Sequence, residues 1–361
     1  MNATFEPNFA SPPGETLVET LETLGMTQAQ LAERMGRPHK TINEIASGKA
    51  MITSDTALQL EKVLGVPASF WSNRERLYRD ALARRREADR LEQQLDWLKT
   101  MPVKNLISVG WITASSEPVG QLRAVLSFFG VAGVEEWRAL WESPEAAFRR
   151  TSAYAASPGA TAAWLRKGEL EARKVDTAPF DGPAFAHALR SLRPYTLKAP
   201  SEFLPTLRDQ CARAGVAVVF VPPLAGVRAY GVSRWLHGSK AIVQLSLRGK
   251  TDDHLWFTFY HEAGHILKHG KRAVFVEEDG EKVADRDPRE VEADAFAQEC
   301  LIPSADYDRF CQNADLSLAA IRRFASKVGI SPGIVAGRLQ HDRKISFTRA
   351  NQLKRHLVFA G

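Results

Sequence analysis

Two histidines four residues apart, His261 and His265, frame a glutamate in the run FTFYHEAGHILK (residues 257–268). On a helix, positions four apart share one face, so both imidazoles can reach a single ion. Glu262, beside His261, is near enough to accept a proton from an attacking water. An H-E-x-x-H motif alone is a weak signal, since a surface helix with two incidental histidines carries the same pattern. A catalytic metal with an open position needs a third protein ligand. The acidic candidates lie one helix later, in PREVEADAFAQECLIP (288–303): Glu290, Glu292, Asp294 and Glu299. In that run Val291, Ala295, Phe296 and Leu301 mark the packing side and Glu292 flanks it. The residues by themselves leave Glu290 and Asp294 open as well. His269 extends the histidine face by one turn. As a fourth ligand it would close the open position, so it is assigned a supporting or substrate-contact role beside plain packing. Tyr260 is the nominated donor to an oxyanion, with no motif behind it.

Those side chains require a helix. Phe257, Tyr260, Gly264 and Leu267 recur at helical spacing, with Gly270 as the stop and Thr251, Asp252 and Asp253 as N-cap candidates. Gly264 lowers helix propensity slightly but lets another element approach closely. Upstream, residues 201–215 form an amphipathic helix. VAVVFVP, GVSRWL and KAIVQLSL then predict a small sheet with antiparallel pairing. Residues 274–289 alternate acidic and basic groups and read as a loop bordering the cleft. Helices follow at 315–329 and from Ser331-Pro332, and RANQLKRHLVF closes the chain as a short helix or strand.

The N-terminal region predicts a different chemistry. After a short polar arm (residues 1–14), helices start near Glu15, at the capping box opened by Thr27 and Gln30, at Pro38, at Thr53 or Ser54, and near Pro67. Two short helices joined by Gly36-Arg37-Pro38 make the helix-turn-helix arrangement. With Ala32, Ile42 and Ile45 packing the pair, His39, Lys40, Thr41, Asn43 and Glu44 lie on or near the outer face of the second helix. Asn43 suits an adenine edge, and Lys40 suits guanine or phosphate. Arg37, Ser47 and Lys49 suit phosphates. A small bundle used for protein contact has the same periodicity.

The 361 residues are 44% hydrophobic and 25% charged, with a net charge of +6. This is a globular composition with room for two or three domains. The basic excess permits nucleic-acid contact without locating it. Three cysteines without a C-x-x-C pair predict a reducing compartment rather than a disulfide framework. No export signal and no long uncharged apolar run is evident, which predicts a cytoplasmic protein that does not span a membrane. Residues 73–99 read as one long charged helix or two. Met101-Pro102 marks a boundary, and short helices follow, with 153–163 a small-residue loop.

Two resemblances sharpen these readings. Residues 14–78, through TQAQLAERMG, TINEIASGK, ITSDTALQLEKVLG and SFWSNRERLY, resemble the phage-repressor-type helix-turn-helix family, particularly the antitoxin branch of plasmid-maintenance modules. That likeness implies a homodimer on palindromic, double-stranded operator DNA. Residues from about 200 to 340, through HEAGHILKH and EADAFAQECLIP, resemble zinc-dependent peptidases that cleave phage or stress-response repressors. That likeness implies a gluzincin-like site in which His261, His265 and Glu292 bind zinc, with Glu292 taken as the residue before the first alanine of its motif. Manganese suits the same ligand types.

The expected architecture is multidomain. An all-α helix-turn-helix domain (1–75) and a helical linker (76–100) precede a helical middle region (101–195), an α+β zincin-like peptidase domain (196–345) and a tail (346–361). The expected function is a DNA-binding regulator with a zinc endopeptidase domain acting on a repressor or on itself. The alternative is a non-proteolytic antitoxin or repressor, partnered by a toxin, whose metallopeptidase-like domain senses or scaffolds.

Overall fold

Side-chain caps and left-handed glycines punctuate the first hundred residues, and the computed structural model follows that punctuation. It describes residues 11–142, 157–246, 248–269, 275–277, 287–313 and 315–357. Most of the N-terminal arm, residues 153–156 and most of the 274–289 loop lie outside the described residues. The chain divides into two units, Met1–Asp96 and Trp97–Gly361.

The first unit comprises α1 (Pro13–Thr23), α2 (Gln28–Met35), α3 (His39–Ala46), α4 (Ser54–Leu64) and α5 (Ala68–Glu92). At the start of α2 the Gln30 backbone N–H donates to Thr27 Oγ1 at 3.2 Å, and the Thr27 N–H donates to Gln30 Oε1 at 2.9 Å. Two otherwise orphaned donors are thereby satisfied reciprocally. Gly36 (φ 63°) and Gly65 (φ 74°) end α2 and α4 in the left-handed region that glycine adopts most readily. Leu17, Leu31, Ile42, Leu60 and Trp71 close the core of this unit. The buried Glu75 accepts the Ile52 N–H and the Arg79 guanidinium, tying α5 to the segment before α4. Residues 73–92 are one helix, on which Leu91 is buried and Leu77 is exposed.

The second unit opens with α6 (Val103–Ser108), α7 (Pro118–Phe129), α8 (Val134–Trp141) and α9 (Pro158–Arg173). Residues 158–163 are thus the first turns of a helix rather than loop, because Pro158 supplies the fixed φ of a helix start. The Trp164 indole N–H on α9 donates to the Val221 carbonyl at 2.9 Å, and Gln244 donates to the Trp164 carbonyl at 2.8 Å. Those bonds join the middle region to the sheet. Next come α10 (Gly182–Leu192), α11 (Pro200–Arg213), β1 (Val216–Phe220), β2 (Gly231–His237) and β3 (Lys240–Leu245). The remaining elements are α12 (Asp252–Lys268), β4 (Phe275–Glu277), α13 (Pro288–Leu301), α14 (Ser304–Gln312), α15 (Leu318–Val328) and α16 (Pro332–His341).

The sheet order is β1-β3-β2-β4. β1 runs parallel to β3, while β2 is antiparallel to both β3 and β4. All six residues of β3 are buried, as a central strand demands. At the head of α12, Thr251 occupies the N-cap without a side-chain cap bond. Asp252, expected as a cap, instead accepts the Arg355 backbone N–H at 2.9 Å and its Nε at 3.1 Å. The closing segment therefore pins the N-terminus of the motif helix and packs as an isolated bridge, Thr251 to His356, after a single 3-10 turn.

Candidate metal centre

His261 and His265 project from α12, and both are buried, as is Glu262 between them. The two Nε2 atoms lie 3.0 Å apart. Glu290 of α13 meets both: its Oε2 is 3.1 Å from His261 Nε2 and its Oε1 is 3.4 Å from His265 Nε2. Ligand atoms arranged tetrahedrally at zinc distances of about 2.0–2.1 Å are about 3.3–3.4 Å from one another. The separation of the two nitrogens is slightly shorter than that edge, and the Glu290 carboxylate offers one oxygen at 3.1 Å to the first and the other at 3.4 Å to the second. Among the described residues, His261, His265 and Glu290 form the one cluster spaced to hold a metal ion.

Hydrogen bonds on the far side of each ring determine the tautomers. His261 Nδ1 is 2.9 Å from Asp294 Oδ1, and a carboxylate only accepts, so Nδ1 carries the proton. His269 Nε2 likewise donates to Glu292 Oε2 at 3.2 Å, which in the neutral ring leaves its Nδ1 as an acceptor. His265 Nδ1, 2.9 Å away, must then donate to it. Both neutral ligand rings therefore turn an Nε2 lone pair toward the other and toward the Glu290 carboxylate. Three acceptors that converge in a buried space call for a positive charge between them, either a proton or a metal ion. The outer bonds are the kind that orient metal-ligating histidines.

Electrostatics follow the same geometry. Burial pushes the Glu290 carboxyl up, but when the positive charge in the site is a proton on the imidazoles, the hydrogen bonds and charge it gives His261 and His265 outweigh burial and hold the carboxyl down at about 2. Burial lowers the His265 pKa, with Glu290 opposing and His261 assisting. Both shifts favour a deprotonated, ligand-competent site.

Glu292 is corrected by this arrangement. Its side chain is 52% exposed, and it reaches His269 and Lys268 rather than the two ligand histidines. Two residues along a helix is a rotation of about 200°. With Ala293, Ala297 and Leu301 buried, Glu290 and Asp294 flank the packed side while Glu292 turns out. Val291, expected to pack, is exposed for the same reason. Tyr260 is corrected as well: its hydroxyl donates to the Leu189 carbonyl at 2.8 Å in the core, and burial raises its pKa further from any proton-donating role.

Two glycines admit these contacts. A Cβ on Gly264 would sit 3.0 Å from Phe296 Cδ1 and 3.4 Å from Ala293 Cα, so its absence is what brings α13 onto α12. A Cβ on Gly231 of β2 would sit 2.9 Å from Glu262 Oε1 and 2.5 Å from Thr258 Cγ2, so β2 leaves room for the Glu262 carboxylate. Gly231 escaped the sequence reading, as did the part of Asp294, a ligand candidate there, in holding His261. The i, i+4 spacing of Glu290 and Asp294 was the available signal for the latter.

In the first unit, α3 buries Ile42 and Ile45 and exposes His39, Lys40, Asn43 and, just beyond it, Ser47 and Lys49. Thr41 and Glu44 are half-buried, and Lys40 lies 3.8 Å from Glu44. Arg37 is also half-buried, and its Nε donates to Gln59 Oε1 on α4.

Residues 17–71 match the family described as helix-turn-helix. Residues 211–340 match the peptidase family described as IrrE N-terminal-like domain. Among solved structures, an addiction module antidote protein of the HigA family from Coxiella burnetii is 34% identical over 23% of this chain and 92% of its own, with a TM-score of 0.22. A protein described as an antidote of a plasmid maintenance system from Nostoc punctiforme PCC 73102 is 31% identical over 23% and 91%, with a TM-score of 0.23. No curated protein matches the chain. The chain joins a helix-turn-helix domain to an IrrE-like peptidase domain, the composition of a DNA-binding regulator with a peptidase-like domain. No helix among the described residues is long and apolar enough to cross a membrane.

Proposed function

We propose that the C-terminal domain is a zinc-dependent endopeptidase that cleaves a regulator protein, this chain included, while the N-terminal domain holds it at operator DNA. The observation that supports this most is the convergence of two imidazole nitrogens and one carboxylate within 3.4 Å of one another beside a buried glutamate. His261, His265 and Glu290 would hold the ion, which zinc suits and manganese also fits. Bound there, the metal supplies Lewis acidity that polarises a peptide carbonyl and acidifies a neighbouring water. Glu262 takes the proton of the attacking water and delivers it to the departing amine. Asp294 and His269 keep the two imidazoles in the tautomer that presents Nε2.

On the DNA side, α3 enters the major groove of a palindromic operator as part of a homodimer. Asn43 reads adenine, and Lys40 takes guanine or phosphate. His39, Thr41 and Glu44 complete that face, with Ser47, Lys49 and Arg37 on phosphates. Arg37 would have to exchange its Gln59 contact for one.

The test compares new protein N-termini in zinc-replete cells expressing the wild type or Glu262→Gln. The wild type should generate a defined cleavage that the variant loses by about 10²-fold or more, with metal content unchanged. If wild type and variant give identical N-termini, the domain is a non-proteolytic sensor or scaffold in a repressor or toxin-partnered antitoxin.

A further inference from the structure

The first turn of α1 abuts the end of α3. A Cβ built on Gly14 would lie 2.3 Å from both the Ile45 and the Ala46 carbonyl oxygens and 2.6 Å from the Ala46 carbonyl carbon. Gly14 is buried there, and only a hydrogen fits, since even carbon–oxygen contacts of the C–H···O kind are about 3.3 Å or longer. The approach has an electrostatic reason. The last carbonyls of a helix lack intrahelical partners and form its negative end, and the first turn of α1 is the positive end of its own dipole. Pro12 extends the contact past α3, with its Cβ 3.6 Å from where a side chain on Gly48 would begin.

Behind this contact α1 is held in place. Leu17 and Leu21 are buried in the core of the first unit, and Thr16 Oγ1 accepts from the Arg74 guanidinium of α5 at 2.9 Å. Ile42 and Ile45 fix which side of α3 turns inward. The α1 turn meets the end of α3 that carries Asn43, with Ser47 and Lys49 just beyond it.

On the reading of α3 as the helix that enters the major groove, we propose that Gly14 is a positioning residue for operator recognition. By letting α1 abut α3, it sets how α3 is seated on the core and so where Asn43 stands relative to the base edges. A methyl at Gly14 pushes the two helices apart by on the order of 1 Å. Hydrogen bonds to base edges tolerate a window of only about 0.5 Å in length. Long basic side chains still reach phosphates, which carry no sequence information. The substitution therefore costs sequence discrimination more than it costs affinity.

For the test, the full-length wild type selects a preferred duplex from a random pool, and fluorescence anisotropy compares that duplex with a scrambled one. The ratio of the two affinities is independent of the fraction of protein folded, so a merely structural loss leaves it unchanged. Asn43→Ala should lower the ratio about tenfold, the effect of one lost bidentate base contact. Gly14→Ala should lower it about fivefold or more while binding the scrambled duplex within about twofold of wild type. An unchanged ratio in Gly14→Ala beside a lowered one in Asn43→Ala overturns the proposal alone. Unchanged ratios in both, or a wild type with no preferred duplex, overturn the reading of α3 and the proposal with it. Should Gly14→Ala fail to fold, Thr16→Val, which frees α1 from Arg74 without adding bulk, should lower the ratio in the same direction; an unchanged ratio there overturns the proposal.

Discussion

Glu290 and Glu292 are chemically identical and two positions apart, yet one faces two imidazoles and the other faces water. Metal content separates them. Glu290→Ala should lose most of its stoichiometric zinc, whereas Glu292→Ala should retain it with at most a tenfold loss of affinity transmitted through His269 and His265. Equal loss in the two variants would return the ligand role to Glu292. The site's protons supply a second prediction. The pKa of His265 is depressed on folding, so below about pH 6.5 the unfolded chain takes up a proton that the folded chain resists. Glu290 is held at about 2, so its contribution is present above about pH 4.5 and is lost as the pH falls toward 2. Both signs agree. Metal-free protein should lose stability progressively on acidification below about pH 6.5, read as a falling urea midpoint, and Glu290→Gln should flatten the lower part of that profile.

Helices were legible where their ends are made locally. Thr27 with Gln30, Gly36, Gly65 and Ser331 act within a few residues, so their elements appear as the sequence predicts. Thr27→Ala should cost about 1 kcal/mol and lower operator affinity modestly, leaving metal content untouched; thermal denaturation and a gel shift report the two effects. Long-range demands were not legible. Asp252 reads as an N-cap but serves the Arg355 segment a hundred residues away, and Tyr260 reads as a site residue but serves the α10 backbone at Leu189. Gly264 was legible as a point of close approach, although its partner, the Ala293–Phe296 face of α13, was not.

Across the whole molecule, each unit has its own core. Leu17, Leu31, Ile42 and Trp71 belong to the first, and the cluster around Trp256, Phe259 and Ile321 belongs to the second. Residues 97–361 expressed alone should therefore fold and retain stoichiometric metal while losing operator binding; loss of metal from that fragment would show that the centre depends on the N-terminal unit. By itself, the amino-acid order determined the helix-turn-helix and peptidase-like domains, the pairing of His261 with His265 on one helical face, and the sheet that precedes them. Those features depend on periodicity and on bonds between near neighbours. Only the tertiary structure decided which carboxylate meets both imidazoles and what hydrogen-bonds the far side of each ring. The rotation of α13 about its own axis is set by how Ala293, Ala297 and Leu301 seat against distant residues, and no local pattern encodes that angle.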